Sequence, residues 1–282
     1  MPRPRITIVG SVNLDLVATV EHLPRPGETL ADAELARVPG GKGANQAVAA
    51  ARLGAEVRFV GCIGDDEHGR LAIRGLEEAG VELSDLRVLP GTPTGVALIF
   101  VAREGENQIV VVPGANRELV PADYGLGEAD AVLCQLEVPV DAVAAAAEQA
   151  RGLFCLNAAP ARRVPDDVLA RADLIVANSL ELEALGSSPL GSLFALTLGA
   201  EGALLVDDGE EVARAVPPRV QAVDGTAAGD AFCACLVVSF LEGRPRDEAL
   251  ERACAAGAIA ASRPGAQPSL PNTDEVDEIL AA

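Results

Sequence analysis

Apolar residues in this chain fall into short runs, separated by longer stretches in which apolar positions recur at helical spacing. The runs Ile6–Val9, Val57–Gly61, Ala131–Cys134, Leu153–Leu156, Leu174–Ala177, Leu193–Leu198 and Ala203–Val206 predict strands. Ala44–Leu53, Glu67–Ala79, Val140–Arg151, Asp166–Arg171, Gly229–Leu241 and Arg246–Ala261 predict helices. Strands alternating with helices imply an α/β fold with a mainly parallel sheet covered on both faces. Ligands of such sheets bind beyond the carboxyl ends of the strands. Residues 17–38 and 94–112 carry no helical pattern and read as extended stretches joined by turns, for instance Arg103–Asn107. They predict a small antiparallel sheet projecting from the rest, either a lid that excludes water or a fixed edge hairpin. Only residues 179–192 separate two strands expected to be parallel. Ser179–Leu185 can supply about two helical turns there, and a parallel crossover needs roughly a dozen residues. No repeat or linker divides residues 1–282, which read as a single domain.

Charge narrows the choice of partners. With 42 acidic against 22 basic residues the net charge is −20. Such a chain repels polyanions, which argues against nucleic acid and anionic membranes. Aromatics make up 2%, with no Trp, so neither carbohydrate nor single-stranded nucleic acid is expected to stack on aromatic platforms. The six cysteines lie in apolar runs without a C-x-x-C pair, and there are two histidines. That pattern predicts buried reduced thiols rather than zinc or disulfides. No segment is long and apolar enough to span a bilayer, and a cytoplasmic location is expected.

Four segments carry chemistry. Gly40-Gly41-Lys42-Gly43-Ala44-Asn45-Gln46-Ala47 opens a helix and contains the single lysine of the chain. Glycines admit a ligand close to the backbone and the helix start offers N–H groups, or the segment is a plain glycine turn. Gly10-Ser11-Val12-Asn13-Leu14-Asp15 follows the first strand. Asn13 and Asp15 alternate and face the same way, toward a ligand's hydroxyls or as an ordinary Asx turn. Asp224-Gly225-Thr226-Ala227-Ala228-Gly229-Asp230 opens the helix Ala231–Leu241. Its small residues leave backbone N–H groups bare, an anion hole. Asp230 is either a first-turn dipole residue or a base for an attacking hydroxyl. Asn178 and Glu181, three apart, share a helical face and suit a hydrated Mg²⁺ or a helix start. Glu137 and the turn Gly199-Ala200-Glu201-Gly202 also lie at strand carboxyl ends.

Together these segments resemble the ribokinase family of carbohydrate kinases. GSVNLD, PRPGET, GGKGANQAVAAARLGA, GDDEHG, TGVALIFV, EGEN, NAAPAR, AVDGTAAGD and GAQPS occur in the family's order from Gly10 to Ser269. The resemblance implies a Rossmann-like α/β domain with a β-sheet lid that often doubles as a homodimer interface, and transfer of the ATP γ-phosphoryl group to the 5-hydroxyl of D-ribose. It implies sugar held by Asn13, Asp15, Gly41, Lys42, Asn45 and Glu137, with Asp230 as general base. The N–H groups of Ala227, Ala228 and Gly229 would stabilise the transferring phosphoryl. Asn178 and Glu181 match the N-x-x-E element that organises Mg²⁺ through water. Thr197, Gly199, Glu201 and Gly202 match a nucleotide-contacting turn. Asp224, Thr226, Ala260, Arg263, Gly265 and Ser269 match a monovalent cation site, filled by K⁺.

The chain departs from the family pattern at Gly225, which separates Asp224 from Thr226, at Cys233, where the family has Asn, and at 186–192, where the family carries a further helix. Phosphoryl transfer asks for positioning and charge stabilisation, which suits a chain with no obvious nucleophile dyad. With so few aromatics, adenine is expected between aliphatic side chains and alanines. The alternatives are a kinase for 2-deoxyribose or a nucleoside, and a sugar-binding protein with impaired catalysis.

Overall fold

A computed structural model describes residues 2–103, 106–121, 125–185 and 192–281. Its core is a nine-stranded sheet. Strands β1 (Arg5–Val9), β4 (Glu56–Gly64), β5 (Glu82–Leu89), β8 (Ala131–Cys134), β9 (Leu153–Asn157), β10 (Leu174–Asn178) and β11 (Leu193–Thr197) run parallel. The last two, β12 (Ala203–Asp207) and β13 (Glu210–Ala215), add antiparallel at one edge. The order is β13-β12-β11-β10-β9-β8-β1-β4-β5. From β1 the chain winds outward through β4 and β5, then returns to β8 on the other side of β1 and winds the opposite way. The order therefore reverses between β1 and β8, and the crevice beyond their carboxyl ends is where such sheets bind ligands.

One face of the sheet is covered by α1 (Lys42–Arg52), α7 (Ala228–Leu241), α8 (Arg246–Ala261) and α9 (Thr273–Ala281), and the other by α4 (Val140–Gln149), α5 (Asp166–Arg171) and α6 (Ser179–Leu185). The sequence of α7, AGDAFCACLVVSFL, is apolar all round, and Asp230 through Ser239 are buried. A helix without a polar face belongs inside the fold, and α7 lies between α1 and α8. All six cysteines are buried and unpaired, as expected. No described helix is long and apolar enough to cross a membrane.

The second sheet has four strands, β3 (Glu34–Gly40), β2 (Asn13–Val20), β6 (Gly95–Ala102) and β7 (Asn107–Val112), in the order β3-β2-β6-β7. It corrects the expected antiparallel lid. β2 and β6 pair in parallel, Asn13 opposite Gly95 through Val20 opposite Ala102, and only the outer pairs are antiparallel. The two halves of the lid come from distant parts of the chain, so no hairpin dictates their direction. β2 also begins at Asn13 rather than Val17, which places Asn13 and Asp15 on a lid strand instead of in a turn. Of the expected lid turn Arg103–Asn107, Glu104 and Gly105 lie outside the described residues, as do Gly186–Gly191, where the shortened crossover was located. The expected helix Glu67–Ala79 is two, α2 (Glu67–Ala72) and α3 (Arg74–Glu78), meeting at Ile73.

Candidate active site

At the reversal point two turns press together. The turn after β1 carries Gly10 and Ser11, and the turn into α1 carries Gly41 and Gly43. An ideal Cβ on Gly43 would stand 2.6 Å from Ser11 N and 2.7 Å from Gly10 Cα, so no other residue fits without moving backbone. Gly41 sits at φ +92°, in the left-handed region that glycine enters without strain. This contact uses up the start of α1. Lys42 N donates to Glu137 Oε2 at 3.1 Å, Gly43 N to Ser11 Oγ at 3.3 Å, and Ala44 N to Ser11 O at 2.9 Å. Ser11 Oγ in turn donates a hydrogen bond to Glu137 Oε2. The glycine-lysine turn is thus a joint between β1, β8 and α1, and the N–H groups of Lys42, Gly43 and Ala44 are not available to a ligand.

The side chains above this joint converge. Asp15 on β2 is 5% exposed. Burial, with the charges of Glu137, Asp230 and Asp224 adding to it, raises its pKa to about 7, and Lys42 opposes the shift. For the Lys42 ammonium, burial works against charge, but Asp230, Glu137, Glu181 and Asp15 outweigh it and hold the pKa above the ordinary lysine value. Asn13 is oriented by Asn116, a residue without a motif around it. Asn116 Oδ1 accepts from Val12 N at 2.9 Å, and its Nδ2 donates to Val12 O at 3.1 Å and Asn13 Oδ1 at 2.8 Å. With its oxygen engaged, Asn13 has its amide nitrogen left to donate, and no acceptor for it is found among the described residues.

Asp230 enters from α7 and is 4% exposed. It does not cap its own helix. Its Oδ2 accepts from Asn45 Nδ2 and its Oδ1 from Gln46 Nε2, each at 2.9 Å. Burial raises its pKa, partly offset by Lys42, Asn45 and Gln46, while Glu137 adds to the rise. Asn45 Oδ1 is buried and has no partner among the described residues. A buried orphan acceptor costs about 1–3 kcal/mol unless a ligand donor meets it, so a hydroxyl beside Asp230 fits this place.

The start of α7 is the counterpart to that of α1. Ala228 N donates to Gly225 O at 3.2 Å, but the N–H groups of Ala227, Gly229 and Asp230 meet no acceptor among the described residues. They face open space at Gly229, where a Cβ would find nothing within 4 Å. Unsatisfied N–H groups at a helix start attract an anion. From here a cavity of about 730 Å³ extends outward, walled by Thr197, Gly199, Val216, Pro217, Val220 and Ala258 among others. Gly202 and Gly229 also line it, whereas Glu201 lies on an exposed 3-10 turn and does not. The wall is mostly aliphatic, with Arg219 its charged residue and Phe232 its aromatic one among the described residues.

Asn178 and Glu181 form a capping box at the start of α6. Asn178 N donates to Glu181 Oε2 at 2.8 Å and Glu181 N to Asn178 Oδ1 at 2.9 Å. Glu181 Oε1 keeps its lone pairs free among the described residues. Asp224 ties two loops together, accepting from Thr226 N and from Gly265 N, each at 2.9 Å. The carbonyl oxygens of Thr226, Arg263 and Gly265 have no donor among the described residues, while Ala260 O accepts from Arg263 N. The Arg263 guanidinium pairs with Glu275, and Ser269 Oγ donates to Ala266 O.

Sequence and fold comparisons agree with this geometry. Over 304 aligned residues, covering 99% of both chains, the protein is 37% identical to a ribokinase of Haemophilus influenzae. That alignment is longer than the 282 residues present here, so the relative carries residues without a counterpart in this chain. A ribokinase structure from Thermotoga maritima superposes with a TM-score of 0.89 at 35% identity, covering 98% of this chain and 99% of that one. An Arabidopsis thaliana ribokinase complexed with ribose and ATP gives 0.86 at 30% identity, covering 99% of each. Residues 3–273 match the profile described as pfkB family carbohydrate kinase, and the chain belongs to that family.

Proposed function

We propose that this protein phosphorylates the 5-hydroxyl of D-ribose with ATP, and that residues 1–282 act as one catalytic unit. The observation that carries the reading is Asp230: a buried carboxylate, held by two amides, beside the orphan Asn45 Oδ1 and at the foot of a helix start whose N–H groups are open. The choice of ribose draws on the names of the relatives.

Sugar lies between the lid and the β1–β8 crevice. Asn13 donates to one hydroxyl, Asp15 and Glu137 accept from others, and Asn45 Oδ1 accepts from a hydroxyl next to Asp230. Gly41 supplies backbone at the floor. Asp230 takes the proton of the attacking hydroxyl as the bond to phosphorus forms. The free N–H groups of Ala227 and Gly229 meet the charge that spreads over the phosphoryl oxygens, and Ala228 joins them if it releases Gly225 O. Phosphoryl transfer depends on this kind of positioning and electrostatic support. Lys42, ringed by four carboxylates, stays charged and balances both substrate ends. The base and ribose of ATP occupy the aliphatic cavity past Thr197, Gly199 and Gly202.

Mg²⁺ accompanying ATP neutralises phosphate charge, and the free Glu181 Oε1 with Asn178 suits a hydrated ion. Asp224 and the unpartnered carbonyls of Thr226, Arg263 and Gly265 form an all-oxygen donor set that suits K⁺. The exposed Leu35, Leu98, Val110 and Val112, which the strand register puts on one face of the lid, support a second copy covering it. Six buried thiols suit a reducing compartment such as the cytoplasm.

The test is ADP release from Mg-ATP with D-ribose, 2-deoxyribose, fructose or adenosine, with and without K⁺. Turnover confined to ribose and raised by K⁺ is expected. A folded sample that binds ribose but turns over none of these would mark a binding protein instead.

A further inference from the structure

Gln46 is fully buried and sits in the glycine-lysine segment, yet the chemistry above gives it no task of its own. It is the middle of a chain of side-chain amides. Asn157 Nδ2, at the end of β9, donates to Val176 O at 3.2 Å. Asn157 Oδ1 accepts from Gln46 Nε2 at 3.0 Å, and the same nitrogen donates to Asp230 Oδ1 at 2.9 Å. Gln46 Oε1 accepts from Gln135 Nε2, at the end of β8. The chain starts on a carbonyl and ends on a carboxylate, and both only accept. Gln46 must therefore present its nitrogen to Asp230, and Gln135 holds the oxygen on the far side. Turning the Gln46 amide over would set Oε1 against two oxygens and leave Gln135 without its partner. Among the described residues the Gln135 side chain makes no other hydrogen bond, and its Oε1 is a buried orphan.

We propose that Gln46 is a positioning residue for the proton acceptor Asp230, held in its donating orientation by Gln135 and Asn157. The ends of two strands, β8 and β9, thereby fix one carboxylate. With Asn45 on Oδ2 and Gln46 on Oδ1, the carboxylate plane cannot rotate, and the lone pairs left over point at one place. Both donors also favour the charged form of the base, which is the form that accepts a proton. The ionisable groups facing Asp230 are Lys42 from α1, Glu137 from the turn after β8 and Asp15 from β2. All of them remain when Gln46 is changed, so a shift in titration reports the lost donor.

This inference rests on the reading of Asp230 as the base. The experiment compares pH profiles of kcat at saturating ribose, which leave out the effect of Asp15 on ribose binding, in the wild type, Gln46→Leu, Gln135→Leu and Asp230→Asn. Gln46→Leu is expected to lower kcat at least about tenfold, to leave the ribose KM within about threefold, and to move the acidic limb to higher pH. Gln135→Leu, which frees the Gln46 amide to turn, is expected to shift the same limb by less. A folded Gln46→Leu whose limb stays in place overturns the proposal, whether or not kcat falls, because a packing defect lowers activity without moving a titration. If Gln46→Leu does not fold, Gln135→Leu decides alone, since it does not touch Asp230. Turnover retained in Asp230→Asn is the failure of the base reading instead, and is distinguishable from both.

Discussion

Two helices of this protein, α1 and α7, begin on turns of small residues and point their N-termini into the same crevice. At α1 the first three N–H groups are taken by Glu137, Ser11 Oγ and Ser11 O, and an added Cβ at Gly43 meets backbone at 2.6 Å. At α7 the N–H groups of Ala227, Gly229 and Asp230 have no described acceptor, and an added Cβ at Gly229 meets nothing. Sequence composition does not separate the two. What separates them is whether the fold brings oxygen atoms to the helix start. β1 and β8 deliver Ser11 and Glu137 to α1 because both strands end there, whereas α7 starts at the open mouth of the cavity. A glycine-rich helix start is an anion site only where the protein leaves it unsatisfied. On the function proposed above, the sugar half of the crevice is accordingly built from locked side chains, and the nucleotide half from bare backbone and mostly aliphatic walls.

The largest test of this contrast is the residue that joins the halves. Asp230→Asn keeps the shape but removes the proton acceptor and turns one of the two accepting atoms into a donor, and should lower kcat at least about a hundredfold with ribose affinity little changed. Steady-state rates alongside calorimetric ribose binding check it, and near-normal turnover breaks the assignment. Next come the paired glycines. Gly43→Ala should destabilise the fold by about 1–3 kcal/mol, since backbone must yield. Urea unfolding measures this.

Asp15 gives a pH signature confined to the sugar half. Its pKa of about 7 in the folded protein lies above the unfolded carboxylate value near 3.8. The fold therefore favours the protonated form, and that contribution is present at low pH and lost as pH rises toward 7. The full difference is on the order of 4 kcal/mol. Asp15→Asn should then raise Tm at pH 8, with the gain shrinking toward pH 5, while weakening ribose binding. In the wild type, ribose affinity should fall as pH drops from 8 to 6, by about tenfold if the charged form binds. A flat profile would remove Asp15 from direct sugar recognition. The smallest effect belongs to Gly229→Ala. It should leave stability unchanged or improve it by about 0.5–1 kcal/mol, as alanine does in helices, yet raise the KM for ATP. Opposite stability outcomes for the two glycine substitutions would sharpen the contrast, and equal outcomes would break it.

Much of the fold was legible from periodicity. Ala131–Cys134, Asp166–Arg171, Ser179–Leu185 and Arg246–Ala261 have the bounds that their apolar spacing predicts. The strands that escaped notice, β5 and β13, lie at the two edges of the sheet, and both are interspersed with charged residues. An edge strand with one solvated side need not look apolar. α9 was also missed, although Asn272 and Glu275 form a capping box ahead of the buried Val276. That signal was available in the sequence. In the site, the residues of the glycine-rich segments stood out, and the amides that orient them did not. Gln46 and Asn157 lie inside quoted motifs without a role attached. Gln135 and Asn116 are single polar residues in unremarkable surroundings, and only their partners give them meaning.

The sequence by itself determined the alternation of strand and helix, the small-residue turns, the reduced thiols and the acidic surface, because each follows from local spacing or composition. The tertiary structure alone decided three other things. It set the parallel pairing of β2 with β6, made one glycine-rich helix start a joint and the other an open anion site, and closed the amide chain on Asp230. The physical reason is the same for all three. Hydrogen-bond satisfaction depends on which oxygen or nitrogen arrives from a distant part of the chain, from position 137 to 42 or from 46 to 230, and no local pattern carries that information.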